Sequence, residues 1–231
     1  MSGHHLVDVV IPVLNEAHVL ERSVATLRSY LQSDLPYEWR IVIVDNGSTD
    51  GTGAVATRLC QRHADVVVRT LAEKGRGRAL RHAWMESTAD AVCYMDVDLS
   101  TELRFLNMLL EAILEQGYDV ATGSRLLPAS QTHRSPFREL LSRTYNWLVR
   151  IALRTRFSDA QCGFKALSGA AVRHLVPQVR DESWFFDTEL LTLAEKLRRL
   201  FDYDFPGVHD LRTSPVWAAG ELLQFGGDFN K

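Results

Sequence analysis

The stretch AVCYMDVDLS, residues 91–100, decides the fold, because a short apolar run ends there in two carboxylates, Asp96 and Asp98. Short apolar runs bounded by polar residues are typical of buried central strands, so residues 91–95 are predicted to form one. Side chains two positions apart on a strand point the same way, which places both carboxylates together at its carboxyl end. In an open α/β sheet, ligands bind at that edge.

Two neighbouring carboxylates repel each other unless a positive group lies between them. Asp96 and Asp98 therefore suit a hard divalent cation, Mg²⁺ or Mn²⁺, that carries a diphosphate. The alternative is a local role, in which Asp98 or Ser100 caps a helix that starts near Glu102.

Strand and helix patterns alternate along the first half of the chain. Apolar strands are predicted at about 6–14, 39–44, 66–70, 91–95 and 119–122. Helical patterns follow them at about 17–31, 52–63, 78–87 and 102–115. This alternation with short connections predicts an α/β fold with a mostly parallel central sheet and helices on both faces.

Polar residues follow four of these strands at the point where each strand ends. They are Asn15 and Glu16, then Asp45, then the Asp96–Asp98 pair, and finally Arg125. Polar groups that converge from four strands on one sheet edge predict a nucleotide site. For Asp45 the alternative is an Asx-turn residue that precedes a glycine.

Two other nucleotide-binding folds are excluded by the positions of the glycines. The first strand is followed by VLNE, residues 13–16, so the Gly-x-Gly-x-x-Gly turn of dinucleotide-binding folds is absent. No Gly-x-x-x-x-Gly-Lys-Ser/Thr sequence occurs either, which excludes a P-loop.

Composition limits the partners that can be expected. The 231 residues carry a formal net charge of -3, which does not favour binding of nucleic acid by the whole molecule. Three cysteines without metal-ligand spacing suit a reducing compartment. No stretch approaches 18 consecutive apolar residues, so any membrane contact is expected to be peripheral.

The segment 125–156 differs from the rest of the chain, since it holds seven arginines and the single acid Glu139. A helix is predicted at about 136–154, with an apolar stripe that includes Phe137, Leu141 and Trp147. An apolar stripe beside arginines is typical of a helix at a membrane surface. A core-packed helix with a solvated basic face fits the pattern equally well.

Seven motifs occur in the order seen in one enzyme family. They are VVIPVLNE, IVIVDNGSTDGT, EKGRGRAL, DVDLS, GSR, DAQCGFKAL and WFFDTELL. Over about residues 7–200 the chain resembles inverting family 2 glycosyltransferases of the GT-A (Rossmann-like) fold. The last two motifs are similar to those of dolichyl- or polyprenyl-phosphate hexose synthases, and the QCGFK form is more similar to the glucosyl branch than to the mannosyl branch.

The resemblance implies roles for particular residues. Donor nucleotide contacts fall on Pro12, Asn15, Glu16, Asp45, Lys74, Arg78 and Asp96, and a metal falls on Asp96 and Asp98. Acceptor phosphate contacts fall on Arg125, Arg138 and Ser142, and sugar contacts on Gln161, Gly163, Asp187 and Glu189. The candidate catalytic residues are Asp98, Asp187 and Arg125. Asp187 is either a base or an orienting group, with a helix N-cap as the structural alternative.

The implied reaction is metal-dependent transfer of a hexose, glucose from UDP-glucose, to polyprenyl or dolichyl phosphate with inversion at C1. Three alternatives remain open: a GDP-mannose-dependent mannose synthase, a family 2 transferase with a soluble or glycan acceptor, and a non-catalytic nucleotide-sugar binding module. We expect a catalytic domain over 1–205 that includes the basic amphipathic segment 134–156. The residues 206–231 form an atypical tail in which a short turn is expected near 222–225.

Family relatives often continue into membrane-anchoring helices. Peripheral contact with the cytoplasmic face of a membrane is therefore expected to rely on the 134–156 segment, on the lipid acceptor or on a separate anchoring protein.

Overall fold

The computed structural model describes residues 5–124, 126, 136–200 and 223–226. Within them, seven strands form one sheet in the order β3-β2-β1-β4-β6-β5-β7. Only β6 runs antiparallel to its neighbours, so the sheet is mostly parallel, as the sequence predicted. The strands are β1 Leu6–Val13, β2 Glu38–Asn46, β3 Val66–Leu71, β4 Ala91–Met95, β5 Val120–Ser124, β6 Phe164–Ser168 and β7 Leu223–Gly226.

Seven α-helices connect and flank these strands within the described residues. They are α1 Leu20–Asp34, α2 Thr52–Arg62, α3 Arg76–Met85, α4 Arg104–Leu114, α5 Pro136–Leu153, α6 Gly169–Leu175 and α7 Phe186–Leu200. Helix α6 was not expected from the sequence, because its seven residues are too few to show a helical period. No helix of the described part combines the length and apolar character that crossing a bilayer requires.

The core is centred on β1 and β4, which pair in parallel at the middle of the sheet. All five residues of β4 are buried, which explains why its sequence is apolar without alternation. Strands β1, β2 and β4 run the same way, so the residues that follow them lie at one edge of the sheet. The topology thus brings together three of the four polar strand ends that the sequence singled out, and the fourth, Arg125, lies outside the described residues.

Two local expectations were wrong. Helix α1 begins at Leu20 rather than near Ala17, after a turn over residues 17–19 in which the Leu20 N–H donates to the Glu16 carbonyl at 3.0 Å. The turn expected near 222–225 is instead strand β7, which pairs in parallel with β5. Without β7, β5 would be an unpaired edge strand, and such strands readily accept a neighbour. The four residues of β7 carry no sequence pattern that reveals this pairing.

Candidate functional site

The loops after β1 and β2 are bonded to each other at this edge of the sheet. The Asn15 N–H donates to Ser48 Oγ at 2.9 Å, and Asn15 Oδ1 accepts from the Thr49 N–H at 2.8 Å. The Glu16 N–H donates to Thr52 Oγ1 at 2.8 Å. These hydrogen bonds join the loop that follows β1 to the loop that follows β2.

Asp45, the last acidic residue of β2, is buried. Its Oδ1 accepts from the Ser48 N–H at 3.0 Å, so a local turn accounts for one oxygen. Its Oδ2 faces Gly53, where an added Cβ would stand only 2.8 Å away. Pro12 is half-buried and pairs with Val44, next to Asp45 in the sheet register. A nucleotide contact for Asp45 and Pro12 stays a prediction.

Asp96 follows β4 directly and is held by two neighbours. Its Oδ1 accepts from Arg76 Nη2 at 3.0 Å, and its Oδ2 lies so close to Gly163 that an added Cβ would overlap it. Although 46% of the side chain is exposed, enclosure of the carboxyl by protein raises its pKa. Arg76 opposes that rise in pKa, and Asp98 adds to it. Gly163 thus makes room for the Asp96 carboxylate, and a sugar contact there stays a prediction.

Asp98 is exposed, and its Oδ1 accepts from the Ser100 N–H at 3.0 Å. Helix α4 begins only at Arg104, after an N-cap residue, Leu103, that makes no side-chain hydrogen bond. The interpretation of Asp98 or Ser100 as a helix cap is therefore wrong, because this pair closes a turn that ends before the helix begins. The turn leaves the rest of the Asp98 carboxylate facing solvent.

Behind Asp96 lies a buried cluster of charges around Tyr94, which is fully buried in β4. The Tyr94 hydroxyl donates to Asp187 Oδ1 at 2.7 Å, and Lys165 Nζ lies 3.2 Å from the same oxygen. Lys165 also donates to the Cys162 carbonyl. Burial and then Asp187 raise the pKa of Tyr94 well above its ordinary value, so the hydroxyl keeps its proton and acts as a donor.

Several predicted nucleotide and sugar contacts take part in structural bonds. Arg78 forms ion pairs with Glu73 and Glu182, and the Glu189 carboxylate accepts from the N–H groups of two loop residues, Arg180 and Asp181. Asp187 is the second residue of α7, so the N-cap alternative for it is wrong. Lys74 is exposed, and Gln161 is half-buried in the turn that precedes β6.

Of the three predicted acceptor contacts, Arg125 lies outside the described residues, and Arg138 is described only by its place in α5. Ser142 is half-buried on α5, and its carbonyl accepts from Asn146 Nδ2 at 3.0 Å. The phosphate contacts expected of these residues therefore stay predictions.

Comparison with known proteins decides the family. The profile described as "Glycosyl transferase family 2" matches residues 8–175. The matched range contains all the polar residues that follow the strands, and it contains Tyr94 and Lys165 but not Asp187. The chain belongs to glycosyl transferase family 2. Glycosyltransferase AglD of Haloferax volcanii is 38% identical over 198 residues, which are 82% of this chain and 31% of AglD. The dolichyl-phosphate beta-glucosyltransferase of Homo sapiens is 30% identical over 202 residues, which are 81% of this chain and 62% of that protein.

This family 2 chain therefore spans less than two thirds of the length of these relatives. Among solved structures, it resembles glucosyl-3-phosphoglycerate synthase of Mycobacterium tuberculosis in complex with Mn²⁺, UDP and phosphoglyceric acid. The TM-score is 0.60 at 22% identity, with 85% of this chain and 65% of the other covered. That likeness establishes the GT-A fold that the sequence predicted.

The residues of this family 2 site fit a divalent metal that arrives with a diphosphate. Asp96 and Asp98 offer two carboxylates, and the described residues contain no group of three or more His, Cys, Asp or Glu side chains able to hold a metal. Mg²⁺ keeps several waters and is usually bound by one or two carboxylates together with substrate phosphates. The two carboxylates are therefore a donor set that a metal shared with substrate phosphates can use.

Sequence reasoning missed Arg76, Tyr94 and the pairing of Lys165. One signal was available for the last two, because a central apolar strand that contains a tyrosine needs a partner for its hydroxyl. The role of Arg76 had no local signal, since its partners come from β4 and from the segment before α7.

Proposed function

We propose that this chain is the catalytic domain of an inverting glycosyltransferase that moves glucose from UDP-glucose to polyprenyl or dolichyl phosphate with Mg²⁺ or Mn²⁺. The observation that carries the proposal is the Asp96–Asp98 pair at the carboxyl end of β4, with the cation Arg76 bonded to one of its members. The names of relatives that act on dolichyl phosphate support the acceptor. The Mn²⁺ and UDP of the structural neighbour support the donor.

On the donor side, Asp96 and Asp98 hold the metal, which neutralises charge on the leaving diphosphate when it is bound. The Asn15–Thr49 and Glu16–Thr52 bonds fix the loops that surround the nucleotide. Asp45 lies at the same edge and contacts the base or ribose. The protein contributes mainly by positioning the donor and by excluding misaligned poses.

In the transfer step, an acceptor phosphate oxygen forms a bond to C1 of the sugar while the bond from C1 to the UDP oxygen breaks. The electron pair leaves with UDP, and the configuration at C1 inverts. A phosphate monoester is largely dianionic near neutral pH, since its second pKa is about 6, so it needs no strong general base. The ion pair of Asp187 with Lys165 favours a positioning role for Asp187 over a role as base.

The acceptor side is proposed to lie along α5, where Arg138 and Ser142 bind the lipid phosphate together with Arg125, which precedes the helix in the sequence. Six large apolar side chains of α5 are 53% to 74% exposed and recur at helical spacing: Phe137, Leu140, Leu141, Trp147, Leu148 and Ile151. Arg143 and Arg150 are exposed on the same helix. This composition fits peripheral binding to an anionic membrane surface on the cytoplasmic side, with or without a separate anchoring protein.

The decisive experiment is a donor screen of labelled UDP-glucose, UDP-galactose and GDP-mannose with polyprenyl phosphate, scored by organic extraction. We expect extractable label from UDP-glucose that depends on added Mg²⁺ or Mn²⁺ and is lost in Asp98→Ala. Label from GDP-mannose alone would assign a mannose synthase instead. Label that enters only water-soluble products would overturn the lipid acceptor.

A further inference from the structure

Arg76 is held in one place by two aromatic rings and two glycines. Its Cζ lies 5.3 Å from the centre of the Tyr94 ring and 5.1 Å from that of Trp184, so the guanidinium is stacked between them. Gly75 and Gly77 flank it, and an added Cβ at either would meet the backbone of Glu182 at 2.5 to 2.9 Å. The side chain is only 15% exposed.

The donor groups of this guanidinium are used unevenly. Its Nη2 donates to Asp96 Oδ1 at 3.0 Å and lies 3.4 Å from the Tyr94 hydroxyl. Its Nε is buried and has no hydrogen-bond partner among the described residues. A buried N–H without an acceptor costs free energy, so an anionic group that reached it would bind favourably.

Two of the amide groups at the start of α3 are bonded to backbone carbonyls of the segment before α7. The Gly77 N–H donates to the Ser183 carbonyl at 3.2 Å, and the Arg78 N–H donates to the Glu182 carbonyl at 3.0 Å. The same backbone bonds keep Trp184, on the outer side of Arg76, in register with it.

We propose that Arg76 is a positioning residue that couples metal binding to diphosphate binding at the Asp96–Asp98 pair. A fixed guanidinium on Asp96 Oδ1 repels a dication and occupies one of its ligand oxygens, so it weakens binding of the metal alone. A diphosphate beside Asp96 adds negative charge that offsets the repulsion between the guanidinium and the dication, and it supplies oxygen ligands in place of the occupied carboxylate oxygen. The metal and the nucleotide then bind well together and poorly apart.

This coupling is a free energy shared by the two ligands. If UDP raises the affinity for Mn²⁺ by some factor, Mn²⁺ raises the affinity for UDP by the same factor. Arg76 should therefore change that factor, whereas a merely structural residue would change the thermal stability alone. The inference rests on the proposed function, because it assumes that the donor is a metal-bound nucleoside diphosphate.

The test is titration of Mn²⁺ alone and with saturating UDP, followed by the electron paramagnetic resonance signal of free Mn²⁺. The variants are Arg76→Met, which removes the charge, and Arg76→Lys, which keeps it without the planar stack. Trp184→Ala removes the exposed outer ring and is a second variant in case Arg76→Met does not fold. Arg62→Met, which removes an exposed ion pair with Glu21 between α1 and α2, is the matched control.

We expect Arg76→Met to bind Mn²⁺ alone at least about fivefold more tightly and to lose at least about fivefold of the coupling factor. Trp184→Ala should change the affinity for Mn²⁺ alone and the coupling factor in the same direction, but by a smaller factor. Arg76→Lys should retain the weak binding of Mn²⁺ alone. Arg62→Met should match the parent in both quantities. Unchanged or weaker Mn²⁺ binding by Arg76→Met and Trp184→Ala would overturn the inference. If the parent binds neither Mn²⁺ nor UDP in any combination, the proposed function itself fails.

Discussion

Lys165 Nζ lies 3.2 Å from Asp187 Oδ1, and both side chains are almost fully buried, at 0% and 3% exposed. Lys165 lies on β6 opposite Tyr94 of β4, whereas Asp187 lies at the start of α7, so the pair joins the helix to the sheet. The Tyr94 hydroxyl donates a further hydrogen bond to the Asp187 carboxylate. Removal of one charge would leave the other buried without its ion-pair partner.

The first prediction follows from this pair. Lys165→Met should lower the free energy of unfolding by about 3 to 5 kcal/mol, because Asp187 would remain buried and unpaired. The double variant Lys165→Met/Asp187→Asn should recover part of that loss, because no buried charge remains. Denaturant unfolding measures both, and a double variant as unstable as the sum of the single variants would contradict the pairing.

A second prediction concerns the contact between Gly163 and Asp96. Gly163→Ala places a methyl group where Asp96 Oδ2 lies, so the carboxylate must turn away from its place beside Asp98. We expect Mn²⁺-dependent binding of UDP to fall at least about tenfold, with a drop in thermal stability. Because Asp96→Ala removes the overlapping atom, Gly163→Ala in an Asp96→Ala background should cost no further stability. An equal stability loss in both backgrounds would exclude this steric explanation.

These contacts mark the limit of what the sequence could predict. Strand ends were predictable because apolar runs and two-residue periodicity are local properties, and they placed Asn15, Asp45 and Asp96 at one edge correctly. Which carboxylate is free and which is paired depends on residues far apart in the chain. Asp96 and Asp98 are similar in sequence, yet only Asp96 meets Arg76, which comes from α3.

The same limit applies to charge in the later motifs. The motif WFFDTELL predicted Asp187 and Glu189 alike as sugar contacts, because helix periodicity says nothing about a buried lysine on a neighbouring strand. The fold brings Lys165 to Asp187 and the loop amides of residues 180 and 181 to Glu189. Ion pairs of this kind follow from topology and not from spacing.

The third prediction is a pH dependence set by Arg28 and Asp65, whose side chains form two hydrogen bonds of 2.8 Å. The bond to Arg28 lowers the pKa of Asp65 below its ordinary value of 3.8. A lowered pKa in the folded state stabilises the fold above the ordinary value, and that contribution disappears as the pH falls through the folded-state pKa. Arg28→Met should therefore cost about 1 kcal/mol at pH 7, and that cost should become smaller as the pH falls below 3.8 towards pH 2.

Arg62→Met is the control for that measurement, because its ion pair with Glu21 is largely exposed and should contribute little at either pH. Denaturant unfolding of both variants at pH 7 and pH 2 gives the comparison. A penalty for Arg28→Met that is the same at both pH values would show that lost packing, and not the charge pair, explains it.

The fourth prediction tests the exposed apolar face of α5. Replacement of Leu140, Leu141 and Leu148 by Gln should leave the unfolding midpoint almost unchanged, because these side chains are exposed. Sedimentation with phosphatidylglycerol vesicles should weaken at least about fivefold, since burial of leucine in the interface drives peripheral binding. Met85→Gln/Met108→Gln, which changes exposed apolar residues of α3 and α4, should bind vesicles like the parent. Equal binding by all three proteins would rule out α5 as the membrane-facing surface.

The last prediction separates the two carboxylates at the end of β4. Asp98 is exposed, and among the described residues its carboxylate bonds a turn amide through one oxygen, whereas the Asp96 carboxylate accepts from Arg76. Asp98→Asn keeps the turn acceptor but removes a charge, so the protein should fold with an unchanged midpoint. It should lose the increase in thermal midpoint that Mn²⁺ and UDP together give the parent. Asp96→Asn should lose that increase and also lower the midpoint without ligand, because Arg76 would lose its hydrogen-bonded carboxylate and keep only the electrostatic attraction of Asp187. Identical ligand-free midpoints for the two variants would mean that Arg76 does not depend on Asp96 for its charge balance.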